Sequence, residues 1–383
     1  MLETKKPSRM EVLYGFLISL LLAVGLYLFL TTIYPIVVTN NITTSFGDIQ
    51  LGSMEYVMMD ISQLTFLFSP LSCTMMILIS FFAAYLERIG SKYMGTGVDG
   101  NGHIFTVMLV MAIVSVILSE LLYSNTLSEF GFIPTLASFL FFHHLVMFYG
   151  VDTKKILSIL LVTTLLASPI CLLARIWLVD PLGLPIFISV TVGAIGFMPI
   201  AHLIFKLMPW MTKADSKPEV NKPKYSPNIW FMNQLFGDIG QTGVNGSSIA
   251  ALGLVVFTVI SYLLNPLSTG AGVGLFPITI FAMIVTGALT IFIYYPYYKS
   301  QPILSFTSIL VVAAVMVTYP SSWLIVVCTI IYAAIVPTPV TGWVLKVSGY
   351  KGEYCIFPLI MIAVSTVAIP WCMFVKLVLV ALI

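Results

Sequence analysis

The chain carries four histidines, five cysteines and fifteen acidic residues from which chemistry would have to be built. His143 and His144 stand side by side in Phe-Phe-His-His-Leu. Neighbouring residues on a helix point about 100° apart, so the two cannot both face one cavity squarely. A two-histidine metal site on a helix needs ligands three or four residues apart, which this pair lacks. Each is read either as a neutral imidazole bonded to a neighbouring helix or as a ligand for a solute or proton. Cys73, Cys171, Cys328, Cys355 and Cys372 are scattered through apolar runs with no Cys-x-x-Cys. They form neither a disulfide framework nor a zinc site, and read as small packing residues. His-Glu-x-x-His, Gly-x-Ser-x-Gly and the phosphate-binding Gly-x-x-x-x-Gly-Lys pattern are all missing. No catalytic residue, metal site or cofactor is assigned.

Charge inside apolar runs is the next place to look, because an ionisable group at bilayer depth is expensive and by default functional. Glu120 lies three residues from the outer end of its apolar run, within reach of the interface. Arg175 and Asp180 are expected at the same face, as an ion pair at an outer mouth or as a snorkelling arginine and a loop aspartate. Glu120 is an alternative partner for Arg175.

Backbone breaks supply the remaining candidates, since non-helical backbone at depth must line protein or a wet cavity. Breaks are expected at Ser69-Pro70 and Ser168-Pro169. A third is expected where Gly193, Gly196 and Pro199 are spaced by three. Phe236–Ser248 holds four glycines with Asp238, Gln241, Asn245 and Ser247 among them, and Asn265 opens a second glycine-rich stretch to Pro277. Both stretches read either as re-entrant segments that offer backbone N–H groups to a solute or as surface loops. His143, His144, Gly193, Gly196, Asp238, Gln241, Asn245, Ser247 and Asn265 are the solute-binding candidates.

The elements that must position these residues follow from composition. The chain of 383 residues is 59% hydrophobic and 8% charged, with mean hydropathy +1.05. Soluble chains are about 45–50% apolar and about 25% charged, so this one must be solvated by lipid. Soluble enzymes, nucleic-acid binders, disulfide scaffolds and disordered chains are excluded. The expected fold is an all-α polytopic bundle of about 11 transmembrane helices. Their apolar runs lie near 12–38, 63–86, 103–123, 131–149, 156–178, 184–207, 247–266, 274–296, 302–319, 321–337 and 355–379.

With the N-terminus inside, fifteen of the seventeen basic residues fall on the cytoplasmic side; only Arg175 and Lys376 do not. The expectation is N-in/C-out. Residues 1–210 form an N-terminal membrane half, 211–228 a Lys- and Pro-rich cytoplasmic linker, and 229–383 a C-terminal half. Phe-Gly-Asp-Ile occurs at Phe46–Ile49 and again at Phe236–Ile239. Its two positions suit an inverted repeat of five plus five helices with one helix appended; a plain helical bundle is the alternative.

The functional expectation is a multi-pass permease or channel-like protein of a bacterial or archaeal cytoplasmic membrane. It would move a small, neutral or weakly polar solute, with recognition by backbone, hydroxyl, amide and aromatic groups. Sparse charge at depth argues against ion coupling through a carboxylate relay. The partners are the lipid bilayer and a small-molecule solute, with no nucleic acid; further copies or other membrane subunits are compatible. The alternatives are a membrane-embedded enzyme acting on a lipid-linked substrate, with His143 or His144 as base and Glu120 as acid, or a membrane subunit of a larger complex.

Overall fold

The computed structural model describes residues 7–40, 58, 70–91, 105–130, 134–214, 227–241, 247–264, 275–296, 305–319, 322–348 and 356–382. The helices are α1 (Arg9–Asn40), α2 (Pro70–Arg88), α3 (Phe105–Phe130), α4 (Pro134–Tyr149) and α5 (Thr153–Ala174). They continue with α6 (Phe187–Lys206), α7 (Pro227–Gln241), α8 (Ser248–Leu264), α9 (Phe276–Tyr294) and α10 (Ser305–Met316). The last three are α11 (Trp323–Ile335), α12 (Pro337–Val347) and α13 (Ile356–Leu382). No strand occurs among the described residues.

A bilayer core about 30 Å thick needs about 20 helical residues. Six segments are long and apolar enough to cross it: Arg9–Ile36, Thr153–Leu182, Phe187–Lys206, Phe276–Tyr294, Trp323–Val347 and Leu359–Val380. They mark a membrane protein. The apolar helices Cys73–Leu86, Val110–Tyr123, Ser248–Leu264 and Ser305–Met316 are shorter.

Three expectations about backbone change. The first is at α7, which runs from inside the expected linker into the expected glycine-rich segment, so 236–241 is helix and not loop. Every residue from Leu235 to Gly240 is buried, and tertiary packing outweighs the low helix propensity of Gly237 and Gly240. The second concerns the two prolines: α5 continues through Pro169 and α6 through Pro199. A proline removes one backbone donor, and a neighbouring side chain can satisfy the acceptor it leaves. The third is that irregular backbone lies instead in the five-residue π-helical stretch Arg175–Val179 that extends α5 and at the kink of α3 at Tyr123. The Phe46–Ile49 copy of the repeated tetrapeptide lies outside the described residues.

The chain forms two compact units, and each draws on sequence from both sides of 211–228. The first comprises Met1–Asp48, Thr65–His103 and Glu219–Pro339. In it α10 is buried along its whole length and packs against α7, α9 and α11. α1 begins with a reciprocal cap, Ser8 Oγ accepting from the Glu11 N–H while the Glu11 carboxylate accepts from the Ser8 N–H. It then buries Val12, Gly15, Ser19 and Ala23 on one stripe. Gly15 is required: a Cβ there would come 2.4 Å from the base of the Phe231 side chain. Gly287 on α9 receives Leu235 in the same way, at 2.6 Å. Glycines on two helices therefore let α7 press into the unit.

The second unit comprises Ile49–Leu64, Ile104–Pro218 and Val340–Ile383. Its helices α3, α4 and α5 are joined by short connections and pack mutually, so α3 and α5 run parallel. α6 packs on α5 and α13 on α6, with Ser365 Oγ donating to Thr191 Oγ1 at 2.8 Å.

Candidate functional site

In the first unit, polar side chains converge on α7. Gln234 and Asp238 are four residues apart and share a face, and Gln234 Nε2 donates to Asp238 Oδ1 at 3.1 Å and Oδ2 at 3.2 Å. Ser305 at the start of α10 donates its hydroxyl to Oδ2. Asp238 is 1% exposed. Nearby on α7, Asn233 Oδ1 accepts from Ser248 Oγ at 3.1 Å. Further along α10, Ser308 Oγ and Thr338 Oγ1 are 3.2 Å apart. An amide, a carboxyl group and hydroxyls from three helices are therefore held inside an otherwise apolar unit. Carboxylate oxygens have more acceptor capacity than these bonds use, so the group can take a further donor from a solute.

Of the sequence candidates in this region, Asp238 and Ser247 are buried. Ser247 precedes α8 and its Oγ accepts from the Ala250 N–H at 3.4 Å, a cap for the helix start. Gln241 is the last residue of α7. Asn245 and Asn265 lie outside the described residues. Gln234 and Ser305 are not distinguished by the sequence; the four-residue spacing of Gln234 and Asp238 becomes a signal only once 227–241 is known to be helix.

The second unit holds the histidines. His144 is buried and meets His202 of α6 edge to face, with ring centroids 6.0 Å apart. His202 Nδ1 is 2.6 Å from the Tyr149 hydroxyl. Phe141 stacks on Phe197 at 4.7 Å and Tyr149 meets Phe205 at 5.0 Å, which completes an aromatic ladder between α4 and α6. His143 is on α4. The cross-helix pair is thus His144 with His202, a contact that adjacency in sequence does not reveal.

Gly193 serves close packing: a Cβ there would lie 2.3 Å from Cys171 Sγ and 3.0 Å from Cys171 Cα. Gly196 is exposed, and its Cβ would meet only Ile170 Cγ2 at 3.4 Å. The structure brings His144 and Gly193 into one unit and Asp238 and Ser247 into the other.

Arg175 and Asp180 are paired, Nε to Oδ1 at 3.2 Å and to Oδ2 at 3.3 Å, across the π-turn. Lys376 ends nearby on the same loop and donates to the Leu182 carbonyl at 2.7 Å. The two basic residues that break the charge pattern are therefore each satisfied locally. Gly183, with φ +61°, is needed where it stands, both for its left-handed backbone and because a Cβ would lie 2.7 Å from Lys376 Nζ.

Glu120 lies on α3 three residues before the kink at Tyr123, where its apolar stretch Val110–Tyr123 ends. It is 5% exposed, and neither carboxylate oxygen has a hydrogen-bond partner. It is not a member of the Arg175–Asp180 pair.

The chain matches no family model, no curated protein and no solved structure. Its chemistry is read from these residues alone. Among the described residues no group of three or more His, Cys, Asp or Glu side chains is placed to hold a metal ion.

Proposed function

We propose that the chain is a membrane transport protein, permease-like or channel-like, that moves a small neutral or weakly polar solute. The observation that carries this reading is the Asp238–Gln234–Ser305 cluster, buried in a unit built largely of apolar helices. Burying an amide and a carboxyl group in such surroundings costs several kcal/mol unless they are bonded, and a well-packed apolar core would avoid that cost. Their retention suits a site that recognises a hydroxyl or amide in the solute. The finer arrangement in this reading is eleven crossings, N-in and C-out, in a bacterial or archaeal cytoplasmic membrane, alone, as a homo-oligomer or with other membrane subunits.

The enzyme alternative calls for an acid and a base in contact. In that reading His143 or His144 is the base and Glu120 the acid, and neither Glu120 oxygen is hydrogen-bonded to a histidine.

The test is flux in proteoliposomes. Stopped-flow swelling in glycerol, urea, acetamide and small polyols should exceed that of empty vesicles for at least one solute. Asp238→Asn, which keeps size but replaces one acceptor oxygen with a donor NH2, should lower that flux roughly tenfold or more. Swelling equal to empty vesicles across the panel, together with no thermal stabilisation by a library of small metabolites, would overturn the reading.

A further inference from the structure

Among the described residues, seven buried side-chain oxygens have no hydrogen-bond partner, and five of them lie on α3 and α5. They are Ser119 Oγ, both carboxylate oxygens of Glu120, Thr163 Oγ1 and Ser168 Oγ. Buried polar groups are almost always paired, so five orphans on two adjacent helices ask for a missing partner.

The register of the helices brings Ser119 and Ser168 to one level. Ser115 and Thr164 are bonded hydroxyl to hydroxyl at 2.9 Å, fixing where α3 meets α5. The helices run parallel, so one turn further on Ser119 follows Ser115 as Ser168 follows Thr164. Glu120 adjoins Ser119, whereas Thr163 lies five residues before Ser168 and outside this level. The Tyr123 hydroxyl reaches across to the Leu165 carbonyl at 2.9 Å. Leu165 is four residues before Pro169, which has no N–H to give it, so the proline leaves an acceptor that Tyr123 takes up. α3 itself departs from helical geometry at Tyr123, with φ −118° and ψ 19°.

We infer that Glu120, Ser119 and Ser168 form a binding site for one small monovalent metal cation, of the sodium or lithium class, between α3 and α5. The ligand set is hard oxygen throughout, which selects alkali or alkaline-earth ions over zinc or copper. One carboxylate balances one positive charge. A divalent ion would leave a net charge in an apolar setting, at high cost. Hydroxyl oxygens supply lone pairs without adding charge. A carbonyl freed by proline borders the site, as irregular backbone borders ion sites in broken membrane helices. This goes beyond the transport reading and does not depend on it, since the site lies in the second unit and the solute cluster in the first. It also departs from the expectation that charge at depth is too sparse for ion coupling.

The experiment uses the full chain in detergent. Thermal midpoint is measured in sodium chloride against choline chloride at equal ionic strength, and binding of radioactive sodium is counted by scintillation proximity. The midpoint should rise saturably, by about 5 °C at a hundredfold excess of sodium over its Kd, with one sodium bound per chain. Glu120→Gln, close in size, should abolish both effects, and Ser168→Ala should weaken sodium binding roughly tenfold. Glu120→Gln also separates this site from the solute cluster, because solute-induced stabilisation should survive it while sodium binding does not. Equal midpoints in sodium and choline with no bound sodium would overturn the proposal, as would sodium binding that persists in Glu120→Gln. Stabilisation by calcium and not by sodium would overturn it too.

Discussion

Gly193 and Gly196 are three residues apart on one helix, yet substitution should separate them sharply. Alanine at 193 drives a methyl group into Cys171, whose Cα lies 3.0 Å from the ideal Cβ position. Gly193→Ala should destabilise the protein by about 1–3 kcal/mol, and adding Cys171→Ala should not restore it, because the backbone contact remains. Gly196→Ala meets only a methyl group at 3.4 Å and should be neutral or stabilising by about 0.5–1 kcal/mol through helix propensity. Thermal unfolding of the three variants in detergent is the measurement, and equal losses at both glycines would contradict the packing account. At Asp238 the burial makes truncation costly: Asp238→Ala removes the acceptor of Gln234 and Ser305 and should cost about 2–4 kcal/mol. Combining it with Ser305→Ala should cost less than the sum of the two single changes, since Ser305 no longer has a buried partner to lose. Gly193, Asp238 and Ser247 stand out in the sequence by type, but a residue's type does not say which neighbour it meets. Gly193 reads there as a gap in side-chain cover; that Cys171 fills the gap depends on the packing of α5 against α6.

At the level of the helix, apolar length is legible wherever a run exceeds the bilayer thickness, and helices occupy every one of the apolar runs read from the sequence. α7 is not legible, because its fifteen residues mix Trp230, Phe231 and Leu235 with Asn233, Gln234, Asp238 and two glycines. Its helix depends on glycines elsewhere, at 15 and 287, that open space for Phe231 and Leu235. Those partners are separated from it by long stretches of chain. At Pro169 and Pro199 the expected breaks give way to continuous helix, and at Pro169 the freed carbonyl has another bond. Tyr123 supplies that bond to Leu165. Tyr123→Phe should therefore cost about 1–3 kcal/mol in the wild type. In a Pro169→Ala background, where the restored backbone N–H can bond the Leu165 carbonyl, the same change should cost much less. A double-mutant cycle by thermal unfolding reads that difference, and a coupling near zero would remove the proline from the explanation.

For the whole molecule, composition alone dictates a lipid environment, and charge asymmetry predicts a direction across it. Cysteine labelling of intact cells tests the direction. With exposed Cys328 replaced by serine, Ser216→Cys should resist an impermeant reagent and Gly52→Cys should react. The reverse pattern would invert the orientation; both positions lie outside the described residues. The composition of the two units is less legible, since hydropathy records where a helix is and not which helices it joins. The first unit takes Met1–Asp48 and Thr65–His103 but closes only with Glu219–Pro339, whereas most of the second is one continuous stretch, Ile104–Pro218. Synthesis runs from the N-terminus at about 5–20 residues per second, so α1 and α2 leave the ribosome on the order of ten seconds or more before α7 exists. In that interval the nascent chain must keep the stripe of Gly15, Ser19 and Ala23 uncommitted in the insertion machinery or in lipid, while α3 to α6 are free to assemble first. A slow-down or stall in translation after residue 218 would thus strand the two earliest helices without their partners and expose the unfinished chain to quality-control proteolysis.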